Sequence, residues 1–143
     1  MAASSSPSGI RTFLDTNVLV YAFDHSAPAK QERAAEMLRR RGWIVSWQVI
    51  QEFANVAIHR FKVPLKAADL AEYLELVLWP HCAIFPSLPI HRKAIEIHDN
   101  LGFRYDDSLM VASALSSDAE ILYSEDLQHG QVIGTLHIEN PFL

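Results

Sequence analysis

Short apolar runs separated by amphipathic helical stretches constrain this chain more than any other feature. Residues 10–14, WIVSW at 43–47, CAIF at 82–85 and EILYS at 120–124 each read as a short strand, and TLHIENPFL supplies a possible fifth. Between them lie helical patterns. Residues 17–23 fit one or two turns, and AKQERAAEMLRRR follows a Ser26 cap and Pro28 and closes at Gly42. Ser46 caps WQVIQEFANVAIHRF, and LKAADLAEYLELVLW carries Leu70, Leu74, Val77 and Leu78 on one stripe, stopping before Pro80. IHRKAIEIHDNLGF ends at Gly102, and DDSLMVASALSS is apolar almost all round, so it belongs deep in the core. Strands alternating with helices indicate an α/β protein with a mainly parallel sheet.

At 143 residues the chain suits one domain over residues 10–143, preceded by a short disordered leader at residues 1–9. That leader, MAASSSPSG, has neither the basic nor the apolar region of a secretory signal. No apolar run approaches the roughly 20 residues that span a bilayer, so no membrane partner is expected. Cys82 is the only cysteine, which excludes an internal disulfide and fits a reducing cytoplasm. A net charge of −5 argues against holding nucleic acid by bulk electrostatics. The basic groups at residues 39–41, 60–62 and 92–93 read as solvated helix ends, with phosphate tracking as the alternative.

The acids are distributed more tellingly. Asp15 and Asp126 each follow an apolar strand at its carboxyl end, where parallel sheets place their ligands. Glu52 falls on or beside the stripe of Val49, Phe53 and Val56, and Asp107 begins the most apolar helix. A lone carboxylate in such a place is heavily desolvated and tends to keep a proton. Four on separate elements make sense if they converge. Two carboxylates about 4.5 Å apart repel by roughly 4 kcal/mol at an effective dielectric of 20, so convergence calls for a cation. An all-oxygen set selects Mg²⁺ or Mn²⁺, and no cysteine or histidine set competes for zinc. Such an ion accepts phosphate oxygens and activates water for in-line attack on a phosphodiester. Each acid also has a plainer reading: Asp15 and Asp107 as helix caps, Asp126 as a turn residue, Glu52 as a surface acid.

FLDTNVLVYA, SWQVIQEF, YDDSLMVASAL and LYSEDLQHG resemble, in order and spacing, the four blocks of the PIN-domain family, and within it the VapC-like toxins of bacterial toxin–antitoxin pairs. The resemblance covers nearly everything after the leader. It implies a five-stranded parallel sheet flanked by helices and a Mg²⁺- or Mn²⁺-dependent endoribonuclease with an RNA substrate. It further implies a homodimer silenced by a small cognate antitoxin protein, in the cytoplasmic setting that the lone cysteine fits. Carried over, the family's acids fall on Asp15, Glu52, Asp107 and Asp126, with Asp15 and Asp107 as principal metal ligands. Asn17 and Ser124 occupy the polar positions beside the first and last acids. Asp106 is an extra neighbouring acid, and an assisting role for Glu125 stays open.

Other residues carry less. His91 and His98 lack a third ligand, and His129 is close enough to Asp126 in sequence to touch a phosphate. Trp43, Trp47 and Trp79 suit core or dimer packing, or base stacking, and Tyr21 and Phe23 suit core or interface. An aspartyl phosphatase needs a second acid two residues after the first, where Asn17 stands. A receiver domain wants a paired early acid and a late lysine that SEDLQHG does not offer. The remaining alternative is a catalytically silent PIN-fold module that binds RNA or a protein partner.

Overall fold

The structure is a computed structural model that describes residues 9–143. The expected leader lies outside the described residues apart from Gly9. In chain order the elements are β1 (Thr12–Leu14), α1 (Thr16–Tyr21), α2 (Pro28–Arg39), β2 (Trp43–Ser46) and α3 (Trp47–His59). There follow α4 (Ala67–Tyr73), β3 (Cys82–Ile84), α5 (Leu88–Leu101), α6 (Tyr105–Ser116), β4 (Ile121–Tyr123), β5 (Val132–Ile133) and β6 (Leu136–Glu139).

These strands form one sheet in the order β3-β2-β1-β4-β6-β5. The five expected strands are present and mutually parallel, but the sheet has a sixth, β5, antiparallel to β6. With only Val132 and Ile133, β5 is too short to show a period, and its pairing to β6 through Ile133↔Leu136 is what makes it a strand. From β1 the chain winds outward through β2 to β3, then returns to place β4 on the other side of β1. The order therefore reverses between β1 and β4, and a crevice opens at their carboxyl ends.

Phe13, Leu14, Val45, Leu122, Leu136 and Ile138 bury the sheet, with Val18, Leu19, Val49, Phe53, Val111 and Ala114 packed on it from the helices. As its composition implies, α6 is buried along most of its length, from Ser108 through Ala114 save Leu109. An aromatic cluster of Phe23, Phe53, Phe61 and Tyr73 fills the space between α3 and α4.

Helix ends shift by one or two residues at several places, and three differences have a visible cause. Ser26 bonds to Asp24 instead of capping, and Ala27 precedes Pro28 without a side-chain cap. The segment predicted as one helix over 65–79 starts as α4, widens into a π-helical turn at Leu74–Leu78 and tightens into a 3-10 turn at Trp79–His81. The Trp79 amide reaches back to the Leu74 carbonyl, and Pro80 is accommodated in the final turn. Finally, α5 starts two residues early because Ser87 accepts from the Ile90 amide. Gly102 stops α5 with φ 74°, as expected. Gly42, with φ 85°, leaves no room for a side chain: a Cβ there would lie 2.7 Å from the Ile10 carbonyl oxygen. Among the described residues no helix is long and apolar enough to cross a membrane.

Candidate active site

The crevice between β1 and β4 is where the acids gather. The Asp15 amide donates to the Tyr123 carbonyl (3.0 Å), which brings Ser124 level with Asp15. Asp15 is 6% exposed and does cap α1, accepting from the Thr16 amide at 2.6 Å. The capping role and the cluster role therefore coexist in one carboxylate. Its second oxygen accepts from Ser124 Oγ (2.7 Å) and Asn17 Nδ2 (3.3 Å). Asn17 Nδ2 also reaches Asp126 Oδ2 at 3.2 Å, so one amide links the first and last acids. The Asp126 amide in turn donates to Ser124 Oγ (3.2 Å). Asn17 and Ser124 each hydrogen-bond to the carboxylates beside them.

Glu52 joins from α3 by accepting from Thr16 Oγ1 at 3.1 Å. It is an exposed residue at the solvent edge of its helix stripe, not beneath it, but its carboxyl end is crowded enough to be desolvated. Asp107 is half-buried in the first turn of α6, two residues after the helix begins. Asp106 is exposed, pairs with Arg104 at 3.3 Å and accepts from the Asp107 amide at 3.1 Å.

The electrostatics tie these groups together. Burial pushes the Asp15 pKa up to about 7, the Ser124 and Thr16 hydrogen bonds oppose it, and the charges of Asp126 and Glu52 add to the rise. Glu52 is raised by desolvation first and then by Asp106 and Asp107, against hydrogen bonds from Thr16 and Gln48. Asp107 is raised by desolvation and by Asp106 and Asp126. Asp15, Glu52 and Asp107 are thus each raised by burial first and by neighbouring acids second, Asp126 being one of the charges that act on Asp15 and Asp107.

This group falls short of the expectation in one respect. Among the described residues no three His, Cys, Asp or Glu side chains form a group that could hold a metal ion. The carboxylates come from the start of α1, α3, α6 and the loop after β4, and the rim holds them near one another without closing a shared sphere. The donor chemistry still suits a hydrated hard dication, since Mg²⁺ keeps several waters and takes one or two carboxylates from the protein. Like charges that raise one another's pKa are also what such an ion relieves.

Several neighbours whose role the sequence reading left open stand apart from the acids. Glu125 turns away from the rim: it meets Lys30 Nζ at 2.6 Å and accepts from the Tyr21 hydroxyl at 2.7 Å. His129 Nδ1 accepts from the Asn140 amide, His91 bonds to the Tyr105 hydroxyl and His98 to the Phe103 carbonyl, so none joins the acids. Trp43 is buried and stacks on His81 at 3.5 Å, while Trp47 and Trp79 are exposed. Sequence reasoning missed Thr16, Lys30 and Gln48. It also missed an open apolar groove of about 230 Å³ beside the acids, lined by Trp47, Gln48, Phe85, Ile90 and Leu109. Gln48 stands between the two regions, donating to the Asp106 carbonyl at 3.0 Å. Thr16 and Gln48 lie within segments the sequence had singled out, but neither carries a charge that would have drawn notice.

A family model described as the PIN domain matches residues 12–133. No curated protein matches the chain. Among solved structures, the chain is similar to a toxin–antitoxin complex from Klebsiella pneumoniae at TM-score 0.66 and 16% identity, covering 91% of this chain and 97% of that one. FitAcB from Neisseria gonorrhoeae aligns at TM-score 0.63 and 18% identity, over 92% and 98% of the two chains. VapC20 of Mycobacterium tuberculosis, a sarcin–ricin-loop-cleaving toxin, aligns at 0.61 and 16%, over 80% and 89%.

Proposed function

The chain belongs to the PIN domain family, and from that premise we propose that it is a metal-dependent endoribonuclease acting as the toxin of a type II toxin–antitoxin pair. One observation carries the reading. Asp15, at the point where the strand order reverses, is hydrogen-bonded by Ser124 and linked through Asn17 to Asp126, with Glu52 and Asp107 on the same rim.

In this reading Asp15 and Asp107 are the principal ligands of Mg²⁺ or Mn²⁺, and Glu52 and Asp126 hold metal or water. When bound, the ion neutralises phosphate charge and lowers the pKa of an attacking water. The chain's own contribution is preorganisation. Ser124 and Asn17 point the Asp15 and Asp126 carboxylates into the crevice, and Thr16 anchors Glu52 to the start of α1. With its pKa pushed up to about 7 by burial, Asp15 would shed its proton as a cation arrives.

The same reading includes a cytoplasmic setting, a small cognate antitoxin and a homodimer. Structural neighbours solved as VapBC and FitAB complexes support the antitoxin. The exposed Trp47, Trp79, Phe85 and Leu88 supply apolar surface for a second copy to cover. The open spacing of the acids favours one other reading, a silent PIN-fold module that binds RNA or a protein. Purified protein is incubated with structured RNA and Mn²⁺ or Mg²⁺, in parallel with Asp15→Asn and Asp107→Asn. Cleavage by wild type that needs the cation and is lost in both variants is expected. Equal cleavage by wild type and variants, or none under any cation, overturns the enzyme reading in favour of the binder.

A further inference from the structure

SED at 124–126 places two acids side by side, and only one of them faces the rim. What separates them is a contact between distant parts of the chain. Lys30 on α2 meets Glu125 Oε2 at 2.6 Å, and the Tyr21 hydroxyl at the end of α1 donates to Glu125 Oε1 at 2.7 Å. Lys30 Nζ also donates to the Tyr21 oxygen at 3.2 Å. The ammonium lies 4.8 Å from the Tyr21 ring centroid and 5.9 Å from that of Phe142, whose ring meets Tyr21 edge-on at 4.7 Å. Both Glu125 oxygens are thereby occupied by groups that touch none of the rim acids.

The backbone of the same loop is tied in the opposite direction. The Glu125 amide donates to Asn17 Oδ1 at 3.4 Å, while Asn17 Nδ2 holds Asp126. Turning Glu125 toward the rim would bring a further negative charge to carboxylates that already repel one another. It would also compete with Asp126 for the Asn17 amide. Resting on the reading of this rim as a metal-dependent nuclease site, we propose that Lys30 is a positioning residue: by holding Glu125 against Tyr21 it decides which of two adjacent acids faces Asn17 and Asp15. Lys30 acts through Glu125 and the Tyr21 hydroxyl, the two groups its ammonium contacts, and touches none of the rim acids.

The test uses the full chain with Lys30→Met, Lys30→Arg and the double variant Lys30→Met/Glu125→Gln. Methionine keeps most of the apolar stem and removes the ammonium with its charge and donors, and thermal melts check that folding is retained. In metal-free protein, Lys30→Met is expected to shift the NMR resonances of the Asn17 side-chain amide and the Asp126 backbone amide, and Lys30→Arg to restore them. By calorimetry Lys30→Met loses about tenfold in Mn²⁺ affinity, as displaced supporting groups do. The double variant recovers it, because neutral glutamine brings no added charge to the rim. Unmoved resonances in Lys30→Met, or a double variant as impaired as the single one, overturn the proposal. Wild type that takes up no Mn²⁺ sinks the nuclease reading instead, and the metal-free resonances still decide the role of Lys30.

Discussion

Replacing Asp15 by asparagine should remove a pH-dependent loss of stability from the metal-free protein while destroying its function. Folded, Asp15 holds its proton up to about pH 7; unfolded, it releases it near 3.8. Between those values the folded state binds about one more proton than the unfolded state, so stability falls as pH rises through the window. At about 1.4 kcal/mol per pH unit, the whole interval amounts to about 4 kcal/mol, of which about 3 kcal/mol lies between pH 5 and pH 8. Well below pH 4 and well above pH 7 the contribution is flat. Asp15 is 6% exposed, so little of this is screened by solvent. The replacing amide would keep an acceptor for the Thr16 N–H but turn its own N–H toward the Ser124 and Asn17 donors, a mismatch costing about 1–3 kcal/mol at every pH. Urea unfolding of wild type and Asp15→Asn in EDTA, at pH 5 and pH 8, separates the two effects. The variant is expected to gain about 3 kcal/mol on wild type between the two conditions, roughly 1–2 M in midpoint at an ordinary urea dependence. Charges distant from Asp15 cancel in that comparison. Parallel pH profiles for the two proteins would refute the buried, protonated Asp15.

Other consequences follow from the same geometry. Ser124→Ala removes the hydroxyl that donates to Asp15 and accepts from the Asp126 amide, so the Asp15 carboxyl titration followed by NMR should move upward; an unmoved midpoint counts against the hydrogen bond. Gly42→Ala meets the Ile10 carbonyl at φ 85° and should cost at least about 2 kcal/mol in denaturant unfolding, with no effect on the acids. Phe53→Ala empties the centre of an aromatic cluster and should cost about 3–5 kcal/mol, lowering the melting temperature at all pH values alike. Mn²⁺ should raise the melting temperature of wild type at about pH 7.5 and leave Asp15→Asn unmoved; a rise of equal size in both would show that the ion binds elsewhere.

The amino-acid sequence alone determined the α/β class and the five parallel strands, and it singled out four acids that the fold then carries to one rim. The reason is local: an apolar run ending in Asp15, an alternation of periods, and a carboxylate opening the all-apolar α6 are each readable within a dozen residues. Tertiary structure decided what those acids touch. Thr16 meets Glu52 and Lys30 meets Glu125 across wide stretches of chain, and no periodicity connects such pairs. β5 exists only because β6 offers it an edge, and the widened turn after α4 has the same apolar spacing as an ordinary helix. Whether four carboxylates merely share a rim or close upon one ion is likewise a matter of how far α3 and α6 stand from β1. Packing across the sheet sets that distance, and residue order along the chain carries no record of it.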